Sequence, residues 1–239
     1  MTLEVASMTP ADAEWAAALM DARRRIYVTY SPVFWRPAAD PVPGHAAFLA
    51  DQIEGDALAL RTDGGFLVGQ VRGEGAVVDD FAVAAPALWP THGRALLEAA
   101  LAQLHARGAA EVLVVTAQRD LPKSALLREV GLRLVEQWWV KELRPGTDDP
   151  RTGPREGNGF SGILGPAPPV YDPGGPVFLA HRVDEGTAAS TVATAAAEWG
   201  AVLAVVPATP RSGLSEELTE AGFEVASDWY SSRRPTAAG

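Results

Sequence analysis

The chain has 239 residues, 47% hydrophobic and 21% charged, with 20 basic against 30 acidic side chains, no cysteine and four histidines. That length allows one large domain or two small ones, and the composition suits a chain with a packed core rather than a disordered or collagen-like one. A net charge of −10, carried as −5 on either side of Leu143, argues against nucleic-acid and anionic-membrane partners, and the missing cysteine removes disulfides, thiolate catalysis and cysteine metal sites.

His45, His92, His105 and His181 are too scattered for a histidine metal site, so no metal is expected. There is no run of about 18 apolar residues and no basic stretch leading into an apolar one, which makes a cytoplasmic protein the expectation. The one basic run, Arg23-Arg24-Arg25, suits the end of a helix better than a phosphate site.

Leu3 to Met8 alternates as a first strand, and Thr9-Pro10-Ala11-Asp12 supplies a cap, a first-turn proline and an acid for a helix over 10–25. Tyr30 to Gly44 is a proline-rich loop carrying Phe34 and Trp35, followed by a short helix over 45–53. Strands are predicted over 57–61, 65–71 and 76–83, joined at Asp63-Gly64-Gly65 and Arg72-Gly73-Glu74-Gly75 as an antiparallel meander. A loop then leads to a helix from Arg94, where Leu97, Leu101 and Leu104 share a face and Gly108 is the stop. A strand over 111–116, a helix over 122–130 and a strand over 132–142 complete this part. The Gly- and Pro-rich stretch 144–176 reads as a linker, and beyond it come strand 177–181, helix 187–199, strand 202–206, helix 213–220 and strand 223–230.

The two parts align internally. Glu129-Val130-Gly131 with Trp138-Trp139 matches Glu220-Ala221-Gly222 with Trp229-Tyr230 without a gap, Val112-Leu113-Val114-Val115 matches Val202-Leu203-Ala204-Val205, and Gly93-Arg94-Ala95 matches Gly186-Thr187-Ala188. A β-α-β-α-β unit therefore appears twice. The second copy alone is too small a sheet to stand without docking on the first or on another subunit, so a monomer with a pseudo-dimeric repeat and a homodimer are both expected.

Chemistry concentrates at Val77-Val78-Asp79-Asp80-Phe81-Ala82-Val83 and Pro90-Thr91-His92-Gly93-Arg94-Ala95-Leu96. A glycine turn opening a helix presents unpaired N–H groups, so the amides of Thr91 to Leu96, with the charge of Arg94, form a candidate anion site.

Together these stretches and "ALLREVGL" make residues 1–143 resemble the GNAT N-acetyltransferase superfamily. The resemblance implies an α/β fold of the α+β type with a mixed sheet, acetyl-CoA or another acyl-CoA as co-substrate, and direct transfer to an amine, here a small-molecule acceptor. It maps the family's pyrophosphate loop onto Pro90-Thr91-His92-Gly93-Arg94-Ala95, where Pro90 departs from the pattern and the preceding loop is about two residues longer than usual. It also implies that Phe81-Ala82-Val83 splays from the strand over 111–116, that the pantetheine arm lies in the gap, and that an amide near Ala82 or Val83 polarises the thioester. Asp79 and Asp80 resemble the family's acidic pair. They alternate faces, so at most one enters the cleft to take the amine's proton, with Asp80 favoured, and the alternative is a capping and a solvated carboxylate. The tyrosine that protonates the leaving thiolate in many members is Leu127 here, and the nearest hydroxyl in that helix is Ser124.

Trp35, Phe34 and Trp138 form either an aromatic wall for the acceptor or core, one of Trp138 and Trp139 being core because they alternate. Domains are expected at 1–143, a linker at 144–176, and a degenerate GNAT-like repeat at 177–239. That repeat should bind no CoA, because Asp184-Glu185 precede its glycine turn. A catalytically silent GNAT-like module that binds a ligand or partner is the alternative reading, and an acyl-carrier-protein donor a third.

Overall fold

The computed structural model describes residues 3–147 and 150–233. The chain divides into two compact units, discontinuous in sequence: Met1–Arg23, Val42–Leu134 and Trp229–Gly239 in the first, Arg24–Pro41 and Val135–Asp228 in the second.

The first unit opens with the short strand β1 (Ala6–Ser7), and a helical turn at Pro10–Asp12 leads into α1 (Ala13–Tyr27). Helix α2 (Pro41–Glu54) starts four residues earlier than predicted. Pro41 and Pro43 fall in its first turn, where the missing N–H groups have no helical partner to lose. The meander forms as expected: β2 (Leu58–Thr62), β3 (Gly65–Arg72) and β4 (Gly75–Val83) pair antiparallel, with a register shift between Leu67 and Gly69. Alternation puts Leu58, Leu60 and Leu67 in one core with Leu96, Leu97, Ala100 and Leu104 of α3 (Arg94–Ala106). Ala59, Phe66 and Val68 point the other way, packing with Ala16, Ala17 and Met20 of α1 and Leu49 of α2.

Strand β5 (Glu111–Ala117) pairs parallel to β4 only from Gly75↔Glu111 to Val78↔Val114. Helix α4 (Leu121–Glu129) follows. The edge of β5 is met by Ser232, just past a strand that ends at Ser231: its N–H donates to the Val112 carbonyl at 3.0 Å.

In the second unit β6 (Arg133–Glu142), most of which belongs here, pairs antiparallel with β10 (Leu203–Ala208), and β9 (Val177–Val183) pairs parallel to β10. Helices α5 (Ala189–Glu198) and α6 (Gly213–Glu220) cover this sheet, and β11 (Glu224–Ser231) lies beside β6.

The stretch 144–176 is not irregular throughout. It contains a hairpin, β7 (Gly153–Gly157) and β8 (Phe160–Gly165), and β8 pairs antiparallel with β9. Its glycines hid the pattern. Phe160, Gly162 and Leu164 alternate inward, and at Gly162 a Cβ would stand 2.3 Å from the Leu179 carbonyl, so glycine is there because another backbone comes close. Each unit thus contains an antiparallel pair with a register shift (β3/β4, β8/β9) feeding a helix and a parallel strand.

Candidate active site

Beyond Val78 the five residues Asp79–Val83 of β4 have no partner on β5, so the strands part ahead of Phe81-Ala82-Val83, where the family resemblance implies a splay. Asp79 is exposed, whereas Asp80 is buried, with its Oδ1 3.1 Å from Nε2 of His45 on α2. His45 is 3% exposed and stacks on the half-exposed ring of Phe48.

The other wall of the parting is Lys123 of α4. Its side chain is 1% exposed, and Nζ donates to the Phe81 carbonyl at 3.2 Å. It also stands 5.1 Å from the centre of the Phe81 ring and 5.7 Å from that of Trp89. Trp89 is fully buried, edge-on to Phe81 at 4.8 Å. Around them Arg23 and Asp120 form a buried ion pair, Arg23 Nε donating to Asp120 Oδ2 at 3.1 Å, while Asp120 caps α4 by accepting from the Lys123 N–H. Burial pushes the Lys123 ammonium down to about 8, an effect that Arg23 reinforces and Asp120, Asp79 and Asp80 oppose. Trp89 Nε1 and Ser124 Oγ are buried and have no hydrogen-bond partner among the described residues.

The predicted anion loop has a different form. A helical turn at Pro86–Leu88 and a wide turn at Trp89–Gly93 run straight into α3, so Thr91, His92 and Gly93 lie inside a helical run that begins at Pro86 rather than at Arg94. The Arg94 N–H donates to the Trp89 and Thr91 carbonyls. Two first-turn prolines, Pro86 and Pro90, and the anchoring of Trp89 in the core make this local structure. The His92 ring lies 3.0 Å from the Thr62 hydroxyl and 3.2 Å from Asp63, Arg94 pairs with Glu98 and Glu129, and Leu96 is core.

Phe34, Trp35 and Trp138 belong to the second unit and come together there. Trp35 is buried against Phe34, Tyr27 and Tyr171 with its indole N–H on the Ala226 carbonyl, and Trp138 meets Phe34 at 6.4 Å. Trp139 is core. Phe81, Ala82 and Val83 are all buried. Among the described residues no group of three His, Asp or Glu side chains is placed to hold a metal, and no helix is long and apolar enough to cross a membrane.

Sequence reasoning passed over His45, Lys123, Asp120 and Arg23. For Lys123 a signal existed: it precedes Leu126 and Leu127 by three and four positions, which puts it on the buried face of α4.

No family model and no curated protein matches the sequence. Solved structures do match its fold. A candidate acetyltransferase from Thermoplasma acidophilum superposes with a TM-score of 0.61 at 9% identity, over 96% of this chain and 98% of that one. A GCN5-related N-acetyltransferase from Sphaerobacter thermophilus gives 0.57 at 14%, over 99% and 98%. A candidate acetyltransferase from Pyrococcus horikoshii gives 0.56 at 9%, over 97% and 89%. At such identities the likeness is one of architecture, and the chain has the fold of the GNAT N-acetyltransferases.

Proposed function

We propose that the chain transfers an acyl group from a thioester to the amine of a small molecule, with the open side of β4 in the first unit as the place of reaction. The observation that carries this reading is the end of β4/β5 pairing at Val78 and Val114 beside the buried Asp80–His45 pair. A protonated amine is no nucleophile, and Asp80 takes its proton directly or through water, with His45 fixing the carboxylate's orientation. The N–H of Ala82 or Val83 supplies the fixed donor for the developing oxyanion. With Leu127 in place of a tyrosine, the thiolate leaves unassisted, as a thiol of ordinary pKa near ~8.5 can.

Acyl-CoA is the donor that the fold implies, and the residues present do not fit it. A pyrophosphate needs a row of unengaged N–H groups, and here Pro90 has none while that of Arg94 is bonded within the helix. A Cβ on Gly93 would lie 2.6 Å from the Trp89 ring, so the space glycine leaves is filled from within. The Lys123 contact to Phe81 favours a second reading, a module that binds without turning over.

A short acyl thioester lacking the phosphate end, offered with a panel of amines, separates the two. Enzyme-dependent thiol release is expected, and Asp80→Asn should lower it about 100-fold while Asp79→Asn leaves it near wild type. No release with any amine would leave the binding module.

A further inference from the structure

The outer face of α2 carries an aromatic ring that the core does not use. Within the first unit Leu49 is fully buried in one cluster with Ala82, and Ala82 shares a face of β4 with Asp80, so α2 lies over the part of β4 that β5 leaves unpaired. Phe48, the neighbour of Leu49, turns the other way and is 50% exposed. A phenyl ring left in water forgoes much of the gain that burial would bring. This one lies against the site, stacked at 6.3 Å and 16° on the ring of His45, whose Nε2 is 3.1 Å from Asp80. The Asp80 side chain is itself not sealed off, being 11% exposed.

The surroundings of the ring suit a ligand of one kind. One turn before Phe48 on the exposed stripe of α2 is Gly44, where even a Cβ would meet nothing within 4 Å, and one turn after it is the exposed Asp51. With Asp79 also exposed on β4, the ring stands among carboxylates that draw a cation. We infer that Phe48 selects the acceptor: the amine carries an aromatic ring that packs on Phe48 while its ammonium group is drawn to Asp80. The inference rests on the acyl-transfer reading for Asp80 as the base, and it adds the class of amine and the residue that recognises it. Contact between two rings contributes beyond the area it buries, which a short aliphatic amine cannot match.

The test supplies a short acyl thioester lacking the phosphate end and compares kcat/KM for 2-phenylethylamine and ethylamine in wild type, Phe48→Tyr and Phe48→Ala. Wild type should prefer 2-phenylethylamine by about tenfold or more, Phe48→Tyr should keep the preference, and Phe48→Ala should lose most of it. Should Phe48→Ala not fold, Phe48→Leu, which occupies the same place without a ring, decides in the same way. Equal kcat/KM for the two amines in wild type overturns the inference and leaves the transfer reading standing. A loss in Phe48→Ala that is the same for both amines also overturns it, since that is what removing a mere support for His45 would give. Failure of the transfer reading looks different: no amine elicits thiol release, yet calorimetric titration of 2-phenylethylamine alone shows binding that Phe48→Ala weakens. Absence of both release and Phe48-dependent binding overturns the inference as well.

Discussion

The two glycine turns that the sequence aligns, Gly93-Arg94-Ala95 and Gly186-Thr187-Ala188, are built in opposite ways. Gly93 is right-handed helical within a run that begins at Pro86, and the space beside it is taken by the Trp89 ring. Gly186 has φ +82°, Ala188 is extended, and α5 starts cleanly at Ala189 beside a surface hollow of about 310 Å3. The open helix start thus belongs to the second unit, but Glu217 and Glu220 line the hollow and repel an anion there. Closure by side chains in one unit and by charge in the other shows that a Gly-x-Ala step does not define an anion site. What precedes it and what faces it do.

If a buried polar network braces the first unit where Trp89 fills the space beside Gly93, breaking that network should cost far more than touching the acidic turn of the second. Asp120→Ala removes the partner of Arg23 and one of the groups supporting Lys123, and should destabilise the protein by about 3–5 kcal/mol in chemical denaturation. A loss below 1 kcal/mol would mean that the network does not hold this part of the first unit together.

Gly93→Ala comes next. The added Cβ meets the Trp89 ring at 2.6 Å, and overpacking of this kind costs about 1–3 kcal/mol. Gly186→Ala has open space around it and only the left-handed backbone to strain, about 1 kcal/mol. Reversal of that order would break the comparison.

A third prediction concerns pH. Because folding lowers the Lys123 pKa from 10.5 to about 8, the native state binds fewer protons than the unfolded state between those values, so stability gains from this group as pH rises from about 8 to 10.5. Below pH 8 the penalty of burying the charge is present in full. Wild type measured against Lys123→Met should show this gain, and a difference flat with pH would contradict it. The smallest effect is expected in the second unit, where Asp184 pairs with Arg182 on the surface: Asp184→Ala should change stability by about 0–1 kcal/mol.

Most of the framework was legible because it rests on periodicity. The β2–β3–β4 meander is spelled by alternating apolar residues around Asp63-Gly64 and Gly73-Glu74, and α6 runs from Gly213 to Glu220 as its spacing predicts. The misses share a cause. Glycine and proline ordinarily mark breaks in a sequence, yet Pro86, Pro90, Pro41 and Pro43 sit in first turns that tolerate them, and Gly162 stands inside a strand because Leu179 comes close. At the site, Asp80 was legible from its place on β4. His45 was not, because it reaches Asp80 from a helix 35 positions earlier in the chain, a proximity that only the tertiary fold creates. Lys123 was visible as a charge on an apolar face, but its contact with Phe81, 42 positions away, was not.

The most direct measurement is a crystal structure of the protein grown with a short acyl thioester lacking the phosphate end. The account predicts electron density for the thioester on the open side of β4 in the first unit, beside Asp80 and His45. Density at the Gly186 hollow of the second unit and none at β4 would contradict it.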